Sequence, residues 1–91
     1  MDNAQIASAL EELADLLEQT GANPFRVRAY RAAAATIRRL VEPAGSILAR
    51  EGTRGLERLE NIGPGLAGAI RELATTGSLR LLDELRAEVT P

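Results

Sequence analysis

The chain predicts an all-α fold, a compact bundle of five to six short helices containing one helix-hairpin-helix, and three observations carry that prediction. Sixteen of the 91 residues are Ala and fourteen are Leu; these are strong helix formers, whereas strands favour β-branched and aromatic side chains. Large aromatics number only two, Phe25 and Tyr30. Apolar residues recur at three- and four-residue spacing, and Gly, Pro or Asn interrupts them at short intervals. With 45% hydrophobic residues the chain can bury one core, and its length suits a single domain over 1–91.

The elements follow in order. Ile6, Leu10, Leu13, Ala14 and Leu17 mark one face of a helix over 4–20. Glu11, Glu12, Asp15 and Glu18 lie off that face, expected in solvent, and Gly21 is placed to end the helix in a left-handed conformation. Asn23-Pro24 opens a second helix, Asn as cap and Pro at the first helical position, running to about Val41. Its apolar side is Val27, Tyr30, Ala33, Ala34, Ile37 and Val41. Arg28, Arg31, Arg38 and Arg39 fall opposite, within about 100° of arc, and no acid interrupts the helix. Arg26 projects from its first turn.

Pro43 breaks the pattern, and 44–50 reads as a short helix with Ile47 and Leu48 inward. Gly52 ends it, and Thr53 is expected to cap another over 54–59 that buries Leu56 and Leu59. Asn61-Ile62-Gly63-Pro64-Gly65 is a turn leading into the stripe Leu66, Ile70, Leu73, Ala74. Gly77 stops that helix, Ser78 is expected to cap the last one, and Leu82, Leu85 and Val89 form its stripe. Thr90-Pro91 closes the chain as a domain boundary would.

Composition removes whole classes of function. Cys, His and Lys are all absent, and the eleven basic residues are all Arg. That leaves no thiolate nucleophile or thiolate metal site, no imidazole base near neutral pH, and no side-chain amine for a Schiff base. A non-enzymatic module is the expectation. No stretch approaches the roughly 20 apolar residues a membrane span needs, and Met1-Asp2-Asn3 carries no signal pattern. A cytoplasmic protein with no membrane partner is therefore expected. The formal charge is −2 and the pI about 5.1, whereas nucleic-acid binders are more often basic. The charge is unevenly placed, however: residues 1–20 carry −5, 21–58 carry +5 and 59–91 carry −2. Since exposed charges act over a Debye length of ~8 Å, the basic middle can hold an anion on an acidic chain.

The chemistry concentrates in residues 56–74. Leu59-Glu60-Asn61-Ile62-Gly63-Pro64-Gly65-Leu66-Ala67, with Ile70 following, fits two helices joined by a tight hairpin. Ile62 would plug the gap between the helices and hold the hairpin rigid. Small residues on either side permit positive φ and let a phosphate approach the main chain. The next helix begins with unpaired N–H groups at its positive dipole end, an anion site that needs no lysine.

Asn23-Pro24-Phe25-Arg26-Val27-Arg28-Ala29-Tyr30-Arg31-Ala32-Ala33, then this hairpin, then Thr76-Gly77-Ser78-Leu79 with Leu82, together resemble the N-terminal domain of family X DNA polymerases, of the polymerase beta type and closest to its bacterial members. The resemblance covers essentially residues 4–89, and the joint order of three motifs is more specific than any one of them. It implies a domain that binds gapped or nicked DNA and grips the 5′-phosphate side of the gap, in DNA repair or synthesis. Carried over residue by residue, Arg26 matches a phosphate contact and Tyr30 a tyrosine near the same pocket, with Arg28 and Arg31 beside them. Gly63 and Gly65 keep the hairpin's backbone access. Asn61 replaces the usual first glycine; Asn is the non-Gly residue that best tolerates left-handed φ, although its side chain would crowd the phosphate. The resemblance also implies a monovalent cation on the backbone carbonyls of Glu57, Leu59 and Ile62, with no other cofactor.

The departures concern chemistry. The lyase lysine of the polymerase beta domain falls at Ala69, another pocket lysine at Gly65 and a further basic position at Glu57. Without lysine, lyase activity is not expected. Polymerase activity needs carboxylates holding Mg²⁺, which the family places in a later domain. The chain is expected to be a fragment of such a polymerase or a free-standing copy of the domain. Glu57 and Glu60 flank the hairpin and would repel phosphate, which keeps open a second reading, a protein-interaction domain that kept the fold and lost DNA.

Overall fold

Asp2 starts α1 (Asn3–Gln19) with reciprocal caps: its carboxylate accepts the Gln5 N–H at 2.8 Å, and the Gln5 side chain accepts the Asp2 N–H at 2.9 Å. Gly21, at φ +78°, turns the chain, and the Ala22 N–H reaches back to the Leu17 carbonyl. Asn23 then caps α2 (Pro24–Arg39), its side chain accepting the Phe25 N–H at 2.8 Å. The α2 start is the one expected from Asn23, whereas the Asp2 cap starts α1 one residue before the expected 4. A computed structural model describes residues 1–89; Thr90-Pro91, expected to close the chain after the last helix, lies outside the described residues.

The remaining helices are α3 (Ala44–Glu51), α4 (Thr53–Glu57), α5 (Pro64–Thr76) and α6 (Arg80–Val89). Among the described residues these six helices are the only regular elements, so the all-α expectation holds. α1 is the hub: α2, α5 and α6 all pack on it, while α3 packs against α4 and α5. The fully buried large side chains are Ile6, Leu10 and Leu13 of α1, Ile37 of α2, Leu56 of α4, and Ile70 and Leu73 of α5. One core therefore joins the hairpin to the first two helices. Asn3 fastens a corner of it, its carboxamide donating to the Glu42 carbonyl at 2.9 Å and accepting the Ala44 N–H at 2.8 Å. That contact caps α3, whose own preceding residue, Pro43, supplies no side-chain cap.

The structure departs from expectation mainly at helix ends. α2 stops at Arg39 and Leu40 is extended, so Val41 is fully exposed rather than part of the apolar face; the residue before Pro43 resists helical geometry, and the chain leaves the helix and bends through 41–42 ahead of it. α4 starts at Thr53 itself with Gly52 in the cap position, and it ends at Glu57, leaving Leu59 half-buried. Ile47 is buried but Leu48 only half so. Ser78 does not cap α6: its hydroxyl meets the Thr76 hydroxyl, and the Glu72 carboxylate accepts the Arg80 N–H at 2.6 Å. Burial along α6 stops at Leu85, and Val89 is 37% exposed.

Candidate nucleic-acid interface

The hairpin between α4 and α5 is built by two short backbone bonds, Leu59 N–H to Leu56 carbonyl at 3.0 Å and Ile62 N–H to Leu59 carbonyl at 3.3 Å. Ile62 is buried, 4% exposed, and anchors the turn in the core. Asn61 sits at φ +64°, the one non-glycine residue with positive φ among the described residues. The left-handed turn was expected of Asn61; the positive φ expected of the flanking glycines was not found. Gly63 is extended at φ −93°, and Gly65 lies in the first turn of α5.

α5 begins with Gly63 in the cap position and Pro64 at the first helical position, and no side chain caps it. The Ala67 N–H closes the first turn on the Gly63 carbonyl at 2.9 Å. Among the described residues no protein acceptor takes the Gly65 or Leu66 N–H. Both groups stand at the positive end of a helix dipole, open to an anion.

The glycines divide by physical cause. Gly21, Gly52 and Gly77 hold positive φ. Gly55 is required by packing, since a Cβ there would lie 2.6 Å from Glu51 Cβ and 2.9 Å from Ile47 Cγ2. Neither cause applies at Gly45, near the start of α3, or at the three hairpin-side glycines Gly63, Gly65 and Gly68: φ is not positive, and a Cβ would meet nothing within 4 Å. The hairpin-side three expose bare backbone at and just beyond the start of α5 without any need of the fold itself.

The second set of expected residues lies at the start of α2. The Arg26 guanidinium carbon stands 6.0 Å from the Tyr30 ring centroid, and that of Arg28 stands 4.7 Å from the Phe25 centroid. Tyr30 is half-buried against the core, whereas Phe25 is 73% exposed. Neither Arg26 nor Arg28 has a carboxylate partner among the described residues. The residues thus form two clusters, Arg26 with Tyr30 and Arg28 with Phe25 on α2, and Asn61, Gly63 and Gly65 in the hairpin, joined through α1, on which both α2 and α5 pack.

Arg31 is differently placed. It pairs with Asp15 at 2.8 Å and Glu18 at 3.4 Å, and Arg38 pairs with Glu11 at 2.6 Å and donates to the Ser8 hydroxyl at 3.0 Å. The Arg38 guanidinium holds the Glu11 carboxyl below its ordinary range, and Arg86 does the same to Glu12. Asp15 and Glu18 are exposed as expected, yet these acids are engaged by arginines of α2, and Glu12 by Arg86 of α6. A single-helix projection could not show this, but the sequence held the signal: α1 and α2 are antiparallel neighbours across a short turn, and the acids at 11, 15 and 18 face arginines at 38 and 31 in reverse order.

Of the three carbonyls named for a monovalent cation, that of Leu59 already accepts the Ile62 N–H. Among the described residues no three acidic side chains gather into a metal site, and no helix is long and apolar enough to cross a membrane. A family model described as a helix-hairpin-helix domain matches residues 1–79. No curated protein matches the chain.

Proposed function

The chain belongs to the helix-hairpin-helix domain family, and from that premise we propose that it is a non-enzymatic, single-domain DNA-binding module that holds the phosphate backbone with the amides of its hairpin and with arginine. The observation that carries the reading is the trio Gly63, Gly65 and Gly68, which leaves bare backbone beside uncapped amides where the fold itself has no use for glycine. Main-chain amides and arginines at phosphates read no base, so binding is largely sequence-independent. The finer reading follows the family X resemblance: DNA with a gap or a 5′-phosphate end, Arg26 and Tyr30 near that phosphate, and a role in repair or synthesis. Asn61, Arg28 and Arg31 extend the contact. A monovalent cation on the Glu57, Leu59 and Ile62 carbonyls would steady the hairpin. The absence of lysine supports a binding role without lyase chemistry.

The test is a backbone amide chemical-shift titration with a 5′-phosphorylated one-nucleotide-gap duplex, at low and then physiological salt. Shifts clustered on residues 61–67 and the start of α2, fading as salt rises, are the expected result. No shift at low salt would overturn it. A second reading, a protein-interaction domain or a docking piece for the rest of a polymerase chain, is favoured by one observation, the 73% exposed Phe25 ring. Shifts confined to that ring's surroundings on adding a protein partner, with none on adding DNA, would support it.

A further inference from the structure

Resting on the DNA-binding reading above, we infer that the DNA-backbone surface of α2 runs on along the α1–α2 edge to Arg38 and Arg39, held self-neutralised by the carboxylates of α1. α2 carries five arginines and no acid. Arg28, Arg31, Arg38 and Arg39 share about 100° of the helix surface and span about 16 Å along its axis. Arg28 and Arg39 have no carboxylate partner among the described residues, whereas Arg31 and Arg38 are occupied by Asp15, Glu18 and Glu11. A phosphate strand laid along α2 meets two free cations and two that must exchange one anion for another.

That exchange is easy. The guanidinium fork fits phosphate as well as carboxylate, and these pairs are exposed, the arginine side chains at 41% and the Asp15 and Glu18 side chains at 60% and 69%, so each is weakly held. The helices do not depend on the pairs for cohesion, because Ile6, Leu10, Leu13 and Ile37 are fully buried in the core between them and their neighbours. The α1 carboxylates thus act as tethered competitors that set the affinity for a polyanion without holding the fold.

The experiment measures affinity for the same gapped duplex by fluorescence anisotropy across a salt series. The variant Glu11→Gln/Asp15→Asn/Glu18→Gln is expected to bind about three- to tenfold tighter, with a log–log salt slope steeper by about one to two phosphates' worth. A control of equal charge change, Glu88→Gln set against Glu11→Gln, separates release of an arginine from loss of bulk negative charge, because Glu88 has no arginine partner among the described residues. Adding Arg31→Gln/Arg38→Gln to the first variant should abolish the gain. Circular dichroism checks folding, and Asp15→Asn alone serves if the triple variant is unfolded. The inference is overturned if the Glu11→Gln gain does not exceed that of the control, or if the triple variant's gain survives without the two arginines. Should hairpin amides shift in the parent while the gain is absent, this inference fails and the hairpin reading stands. Should neither parent nor variant bind at low salt, the DNA reading fails and takes this one with it.

Discussion

Thr36 is 6% exposed in α2, and its hydroxyl finds no hydrogen-bond partner among the described residues. A buried donor without an acceptor is destabilising, and replacing it by an isosteric methyl removes that penalty. Thr36→Val should therefore raise the urea midpoint, corresponding to about 1 kcal/mol; a fall would mean the hydroxyl has an acceptor. The glycines give a sharper contrast. Gly55→Ala drives a methyl into Glu51 and Ile47 and should cost about 1–3 kcal/mol. Gly65→Ala adds a better helix former in open space and should stabilise the fold by up to about 1 kcal/mol. The same substitution places a methyl beside the free amides and should weaken DNA binding. Stability and affinity moving in opposite directions, read by thermal melts and anisotropy, would mark Gly65 as a residue kept for its ligand; unchanged affinity would remove it from the interface.

Among the elements, three glutamates act through arginines on neighbouring segments. Arg38 lowers the Glu11 pKa, Arg86 lowers that of Glu12, and Arg50 lowers that of Glu42. A carboxyl whose folded pKa lies below its unfolded value stabilises the fold above the unfolded pKa, and that contribution disappears as pH falls through the folded one. The melting temperature should thus stay level down to about pH 5 and decline below about pH 4.3. With no histidine in the chain, no side-chain step is expected between pH 5 and 8. Glu11→Gln/Glu12→Gln/Glu42→Gln should flatten the acid limb; an unchanged limb would show that these pairs carry no pH-dependent stability. The same elements show what a sequence makes legible. The α2 start, the left-handed turn at Asn61 and the buried Ile62 were readable, since each depends on a residue and its immediate neighbours. The α6 start was not, because its capping carboxylate comes from Glu72, eight residues upstream. Nor was the pairing of Arg31, which needs a second helix alongside. At the candidate site the Asn61 turn and the Ile62 plug were legible, whereas the glycine conformations, the end of α4 and the number of arginines left free were not.

At the scale of the molecule, acid and base segregate along the chain and then partly recombine in space. α1 neutralises two arginines of α2, and Glu12 draws Arg86 of α6 back to α1. Few cations remain for a partner, so with about two to four phosphate contacts the log–log salt slope for DNA should lie near −2 to −4. A slope near −8 would mean that the paired arginines are released wholesale on binding, and a slope near zero that phosphates are not the ligand.

The docking of α6 has a consequence of another kind. It rests on α1 through Leu82, Leu85 and the Arg86–Glu12 pair, at the far end of the sequence from the helix that receives it. Closing so long a loop comes late in folding, and a terminal helix held by two buried leucines opens readily. In native-state hydrogen exchange, the amides of residues 82–88 should therefore lose protection as one cooperative unit while α1 and α2 remain closed, giving the domain a partly open form that is visited far more often than the unfolded chain.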